Sequence, residues 1–133
     1  MFTPPVYTFP HTAGRCAIIA GMVYRGSAIP SLQGTYWYAQ FCTSRIYSFV
    51  RDGTQVTQHV NRTDKLIADI GSPVDFIASF GRDNAGELYI CSNAPCEVYK
   101  IVPIDCSTTN YCTSTLNSGG TAASIGSSGP VSV

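Results

Sequence analysis

The feature that most constrains this sequence is the regular placement of turn residues among short runs that favour strands. Gly, Pro, Asn and Ser divide the first hundred residues into runs rich in β-branched and aromatic residues. No window has the apolar recurrence at i, i+3, i+4 and i+7 that predicts an amphipathic helix. Strands are predicted at 17–24, 34–41, 45–51, 55–60, 74–82, 87–91 and 97–102. The predicted fold class is therefore all-β, with almost no helix.

Turn signals between these runs predict antiparallel pairing. The segments 51–53, 84–86 and 92–95 combine Asp, Asn, Gly and Pro in the manner of tight hairpins. Two units, at about 17–60 and 74–103, show a similar order of strands. Repeated antiparallel meanders are typical of propeller blades, which bury their faces only by stacking on neighbours. The run 36–41 is nearly all large and apolar, which favours a strand buried on both faces.

The composition restricts the partners. Only 12% of the residues are charged and the formal net charge is zero, so no strong field gathers phosphates or anionic lipid. We therefore expect no nucleic-acid partner. The longest apolar stretch, from Ala17 to Val23, is far shorter than the roughly 20 residues of a transmembrane helix, so we also expect no membrane span.

Six cysteines in 133 residues favour an oxidising compartment and disulfide bonds. The candidates are Cys16, Cys42, Cys91, Cys96, Cys106 and Cys112. Neighbouring strands favour a bridge between the first two, a hairpin would bring the second two together, and the last two would close a small loop. Free buried thiols are the alternative, because sequence alone does not fix connectivity. The spacings suit zinc poorly, and we predict no metal site.

The composition changes after residue 105. No charged residue occurs from 107 onward, and Ser, Thr and Gly dominate. We therefore expect blades of an incomplete propeller at 1–105, and at 106–133 a linker or the truncated start of a second β domain. Met1 is followed by no basic segment and no apolar signal core, which is the expectation for a truncated secreted protein.

Five segments resemble the glucose/sorbosone dehydrogenase family. They read GMVYRG at 21–26, PSLQGTYWYAQFCTSRIYSF at 30–49, IASFGRD at 77–83, GELYI at 86–90 and EVYKI at 97–101. The resemblance spans roughly residues 4–103. It implies the C-terminal blades of a six-bladed propeller in a bacterial secreted, periplasmic or cell-surface protein, with the rest of its own propeller as partner.

The active members of that family oxidise aldose sugars with pyrroloquinoline quinone (PQQ) and calcium. A histidine acts as general base while hydride passes to the quinone. The resemblance places this base and the calcium ligands in earlier blades, so we expect no cofactor and no catalytic residue in this chain. PQQ and calcium remain expectations for a longer parent protein, and a sugar is the expected small-molecule partner.

Three family positions differ in this chain. Relatives hold the carboxylates of the quinone with a lysine and with arginines, and the aligned positions here are Cys42, Phe76 and Ala78. Losing these cations removes the charge-assisted contacts that hold such a cofactor. Two functions therefore stay open: a fragment of a sugar-oxidising enzyme that is itself inactive, and a non-catalytic extracellular binding or scaffold propeller.

Several other residues attract attention but have structural explanations. Arg25, Arg45 and Arg82 lie near predicted strand ends, where an arginine usually caps a sheet edge or pairs with a nearby acid. His11 and His59 have no acid-base partner at suggestive spacing. The segment 83–86 is expected to be a turn rather than a calcium loop. The aromatic residues at 36, 37, 38 and 41 resemble a sugar-stacking platform, yet such runs more often fill a core between sheets.

Overall fold

The computed structural model describes residues 1–68, 74–94, 96–103 and 121–125. Nine strands and two 3-10 turns, Pro30–Leu32 and Thr63–Lys65, make up the regular structure of these residues. The strands are β1 (Ile18–Ile19), β2 (Thr35–Gln40), β3 (Arg45–Asp52), β4 (Gln55–Asn61), β5 (Leu66–Ala68), β6 (Ile77–Arg82), β7 (Leu88–Ser92), β8 (Val98–Val102) and β9 (Thr121–Ile125). The predicted all-β class and near absence of helix are confirmed for this part of the chain.

The strands form two sheets. The first sheet has the order β1-β2-β3-β4 and is antiparallel throughout. The second has the order β5-β9-β8-β7-β6, in which β6 to β8 form an antiparallel meander and β9 runs parallel to β8. The described strands do not form a closed ring, so the propeller remains a prediction.

The two sheets pack face to face over one hydrophobic core. Along β2, β3, β7 and β8, residues pointing inward alternate with residues of the opposite face, as the pleat of a strand requires, whereas an irregularity between Ile77 and Ser79 interrupts the alternation in β6. The first sheet contributes Trp37, Ala39 and Ile46, and the second contributes Ile77, Phe80, Leu88, Ile90, Tyr99 and Ile101. This shared core buries apolar surface that neither sheet would cover alone.

A buried carboxylate ties the two halves together. Glu87, just before β7, is only 5% exposed and accepts hydrogen bonds from the Tyr24 hydroxyl (2.7 Å) and from the backbone N–H groups of Ser27 (2.9 Å) and Ala28 (3.0 Å). Gly26 is required beside it, because a Cβ there would overlap the carboxyl group. Burial and then the Glu87 hydrogen bond raise the pKa of Tyr24 to about 12.

A buried arginine lies on the core side of the first sheet. Arg62 is 1% exposed, its Nε donates to the Ser48 hydroxyl (2.9 Å), and its guanidinium lies 5.6 Å from the centre of the Trp37 ring. Burial lowers its pKa. One terminal nitrogen of this side chain has no hydrogen-bond partner among the described residues.

The Cys16–Cys42 disulfide predicted from the sequence is confirmed. The two residues flank the antiparallel pair β1 and β2, with Cα atoms 5.7 Å apart. The expected second bridge is corrected: Cys91 and Cys96 are both free. The register places Cys91 opposite Val98. Cys96 precedes β8, and the Cys96 Sγ donates to the backbone carbonyl of Asn93. Cys106 and Cys112 lie outside the described residues.

Candidate functional site

The outward face of the first sheet is aromatic. Alternation along β2 and β3 points Tyr36, Tyr38, Tyr47 and Phe49 away from the shared core, and the antiparallel register sets Tyr36 opposite Phe49 and Tyr38 opposite Tyr47. The ring centres of these cross-strand pairs lie 5.2 Å and 5.3 Å apart. The two paired strands therefore form one continuous aromatic surface.

A β-bulge adds His59 to this surface. Between the pairs Ser48–Val60 and Val50–Thr57, two residues of β4 oppose one residue of β3, and Gln58 takes a positive φ of 50°. The His59 ring lies nearly parallel to that of Tyr47, at 5.4 Å and 9°. We call the set Tyr36, Tyr38, Tyr47, Phe49 and His59 the aromatic face.

Two polar groups of the aromatic face are paired with each other. The Tyr38 hydroxyl and His59 Nε2 share a hydrogen bond of 2.7 Å. Burial lowers the pKa of His59, which favours the neutral imidazole. Burial, followed by the interaction with Tyr7, raises the pKa of Tyr38 well above its usual range. The pair is therefore suited to orient hydrogen bonds rather than to hold charge.

The N-terminal segment, residues 5–9, lies over part of the aromatic face. Val6 and Phe9 pack on the cluster of Tyr38, Tyr47 and Phe49. The Tyr7 ring lies 4.9 Å from that of His59 and remains 40% exposed. No run in this segment predicts a strand, so its contact with the sheet is a feature that sequence reasoning missed.

The N-terminal segment and the aromatic face enclose an open pocket of about 520 Å³. Its lining residues are Pro5, Val6, Tyr7, Phe9, Ile18, Val23, Gly34, Tyr36, Tyr38, Phe49 and Arg51. The volume lies in the range of small-molecule sites, about 300–1,000 Å³. Most of the lining residues are apolar or aromatic, and the lining residues with polar side-chain groups are Tyr7, Tyr36, Tyr38 and Arg51.

The pattern that could have revealed the pocket is the pairing of β2 and β3. Aromatic residues at 36, 38, 47 and 49 share one face whenever the two strands form a hairpin closed near residue 42. The prediction that the aromatic residues at 36, 37, 38 and 41 fill a core between the sheets is confirmed for Trp37, which is fully buried there. Tyr36 and Tyr38 belong to a separate cluster on the opposite face of the sheet. Phe41 follows β2 and is 43% exposed, outside the pocket.

The structure also brings together the two segments that the family resemblance links to the quinone. The Phe76 N–H donates to the Ser44 hydroxyl (3.1 Å), and both residues have positive φ. The residues there do not fit the cofactor: Cys42 is held in its disulfide and Phe76 presents an apolar ring that is 52% exposed. The described residues contain no group of three or more His, Cys, Asp or Glu that could hold a metal ion.

The remaining candidate residues are scattered. Arg25, Arg45, Arg82 and His11 are exposed, and none of them lines the pocket.

The segment 83–86 forms the expected turn. The Asp83 carbonyl accepts from the Gly86 N–H, and the Asp83 side chain accepts from the Glu87 N–H. Asp83 pairs with Lys100 (3.3 Å) rather than with an arginine.

No protein-family model matches the chain, and no solved structure matches it. Across the described residues, no helix is long and apolar enough to cross a membrane.

Proposed function

We propose that this chain is a non-catalytic, extracellular sugar-binding module in which the pocket holds an aldose ring. The observation that carries the proposal is the pocket itself, with an aromatic wall of Tyr7, Tyr36 and Tyr38 and a polar rim. A pyranose has a face of C–H groups that packs on aromatic rings and an edge of hydroxyls that needs donors and acceptors. The pocket offers both surfaces.

The proposal that the module is non-catalytic rests on the chemistry of the residues present. The positions that hold the quinone in the resembling family are Cys42, Phe76 and Ala78 here, and none is a cation. His59 does not line the pocket, and it is already hydrogen-bonded to the lining residue Tyr38. The extracellular location is supported by the Cys16–Cys42 disulfide, which favours an oxidising compartment.

We further propose that the two sheets are neighbouring blades of a propeller similar to the glucose/sorbosone dehydrogenases. The antiparallel order of β1 to β4, the meander of β6 to β8 and the core shared between them support this architecture. Sugar oxidation with PQQ and calcium by a longer protein carrying earlier blades is the alternative function. The family resemblance favours it, and it involves the same class of ligand.

The binding test is a saturation-transfer NMR titration of the chain with glucose, galactose and xylose. A ligand of about twelve heavy atoms in an open site should bind with a Kd of roughly 1 mM. Tyr7→Ala removes an exposed wall of the pocket without touching a strand, and should weaken binding by about three- to ten-fold. Phe76→Ala, an exposed aromatic outside the pocket, is the matched control and should bind as the wild type does.

Absence of saturation transfer from every aldose at 20-fold excess over the expected Kd, about 20 mM, would refute the binding proposal. The non-catalytic part is tested separately with PQQ, calcium and a redox dye. We expect no aldose-dependent dye reduction by this chain. Dye reduction that depends on both sugar and quinone would show that the chain itself is an enzyme.

A further inference from the structure

We infer that the pocket selects sugars that carry a carboxylate, such as uronic acids, and that Arg51 is the residue that selects them. This inference rests on the proposed sugar-binding function and names the ligand class within it. It depends on the position of Arg51 and on the absence of an ion pair between Arg51 and an acid in the described structure. It also depends on a second arginine, which contacts the N-terminal segment.

Arg51 lies on the same side of β3 as the aromatic face. It follows Phe49 by two residues, so alternation directs both side chains outward from the core, and both line the pocket. Asp52, the next residue, points to the other face of the strand. The Arg51 Nε donates to the Gly53 carbonyl (2.8 Å), which fixes the guanidinium at the hairpin and leaves its two terminal amino groups for a ligand.

Arg51 forms no ion pair with an acid in the described structure. Within residues 1–68, 74–94, 96–103 and 121–125, the only ion pair joins Lys100 to Asp83 on the second sheet. None of the residues lining the pocket is acidic. A guanidinium presents its N–H groups in a planar fork that matches the two oxygens of a carboxylate, and charge-assisted bonds of this kind are about twice as strong as neutral ones.

A second arginine adds positive potential beside the pocket. The Arg15 guanidinium lies 4.6 Å from the centre of the ring of Phe9, a residue of the N-terminal segment. Phe9 lines the pocket and packs on the aromatic face, so Arg15 is in contact with one of the lining rings, whereas Arg51 lines the pocket itself. A neutral aldose uses the aromatic wall but leaves the Arg51 fork without a charged partner, whereas a uronate uses both.

The test compares glucuronate with glucose in NMR titrations of the wild type and of Arg51→Gln. The wild type should bind glucuronate about ten-fold more tightly than glucose. Arg51→Gln should bring this ratio to about one. Arg82→Gln, which removes an exposed arginine from a strand of the second sheet, should retain the wild-type ratio. Urea unfolding monitored by the fluorescence of Trp37 checks that each variant is folded.

Two further ligands separate a carboxylate site from a general anion site. Acetate should compete only weakly because it lacks the ring. Glucose 6-phosphate should bind less tightly than glucuronate because its charged group is tetrahedral rather than planar and lies farther from the ring, through C6 and O6, at the same end of the sugar. Raising the salt from 0.05 M to 0.5 M should reduce the preference, since exposed charges are screened within about 10 Å at 0.1 M.

Equal binding of glucose and glucuronate by the wild type, or an unchanged ratio in Arg51→Gln, overturns the inference and leaves the sugar-binding proposal standing. Tighter binding of glucose 6-phosphate than of glucuronate also overturns it, because the site would then recognise phosphate. If neither sugar binds, the proposed function fails and the inference fails with it.

Discussion

Replacing Glu87 should lower the free energy of unfolding more than replacing any other polar side chain of the described residues. In Glu87→Ala the buried Tyr24 hydroxyl loses its acceptor, and the Ser27 and Ala28 N–H groups lose theirs. Tyr24 is fully buried, so its hydroxyl has no access to water as a substitute. Ser27 and Ala28 are exposed, so water can replace part of what their N–H groups lose.

The magnitude follows from this difference in exposure. Hydrogen bonds to a charged group contribute about 1.5–3 kcal/mol each, and an unsatisfied buried donor costs about 1–3 kcal/mol. Removing a buried carboxylate also recovers its desolvation penalty, which offsets part of the loss. We therefore expect Glu87→Ala to lower the free energy of unfolding by about 2–4 kcal/mol. Glu87→Gln, which retains one oxygen acceptor, should cost about 1–2 kcal/mol.

The assay is equilibrium urea unfolding followed by the fluorescence of Trp37, which lies in the shared core. Glu97→Gln is the matched control, since it removes the same charge from a half-buried glutamate beside Tyr99, and it should cost less than about 1 kcal/mol. A double-mutant cycle with Tyr24→Phe should give a coupling of about 1–2 kcal/mol. A free energy of unfolding for Glu87→Ala within about 0.5 kcal/mol of the wild type would refute the reasoning.

Three further predictions concern the cysteines and the histidine of the aromatic face. The double substitution Cys16→Ser, Cys42→Ser should lower the free energy of unfolding in urea by about 3–4 kcal/mol, because the bridge closes a loop with a sequence separation of 26; no change would contradict a bridge in solution. Burial lowers the pKa of His59 in the folded chain below its ordinary 6.5. As the pH falls from 7 to 5, the unfolded chain therefore binds more protons at this residue than the folded chain does, and the free energy of unfolding decreases. His59→Gln should lose less stability over that interval, and an equal loss would exclude His59 as the cause. Iodoacetamide followed by mass spectrometry should modify exposed Cys96 faster than half-buried Cys91, and protection of both would indicate that they are bridged.

The local part of the fold could be predicted from the sequence. The predicted hairpin between β3 and β4 is confirmed; its turn lies at residues 53–54, overlapping the predicted 51–53, with Gly53 in the positive-φ conformation. The meander from β6 to β8 likewise follows from turns between adjacent runs. In each case, residues close in the sequence determine the pairing.

Strand lengths and distant pairings could not be predicted in this way. The expected strand at 17–24 reduces to β1 and a single bridge at Val23, because Gly21 approaches the Trp37 carbonyl more closely than any Cβ would permit. β6 begins at Ile77 rather than at 74, after Phe76 with its positive φ. The parallel pairing of β9 with β8 joins segments about twenty residues apart, whereas turn signals between adjacent runs predict only antiparallel neighbours.

The candidate site could be predicted only in part, because its two walls come from different kinds of sequence. The aromatic wall follows from alternation in a hairpin whose strands were predicted. The other wall comes from Val6, Tyr7 and Phe9 of the N-terminal segment, which has no strand periodicity. The position of this segment depends on its packing against the folded first sheet. A pocket formed in this way becomes visible only when the tertiary structure is known.

The most direct test of sugar binding in the pocket is an amide chemical-shift map of the ¹⁵N-labelled chain titrated with glucuronate. We predict saturable shifts concentrated at residues 6–9, 34–38 and 49–51, with the amides of β6 to β8 unchanged. Shifts spread evenly over both sheets, or confined to the second sheet, would contradict the location of the site, and a spectrum unchanged at saturating sugar would contradict binding itself.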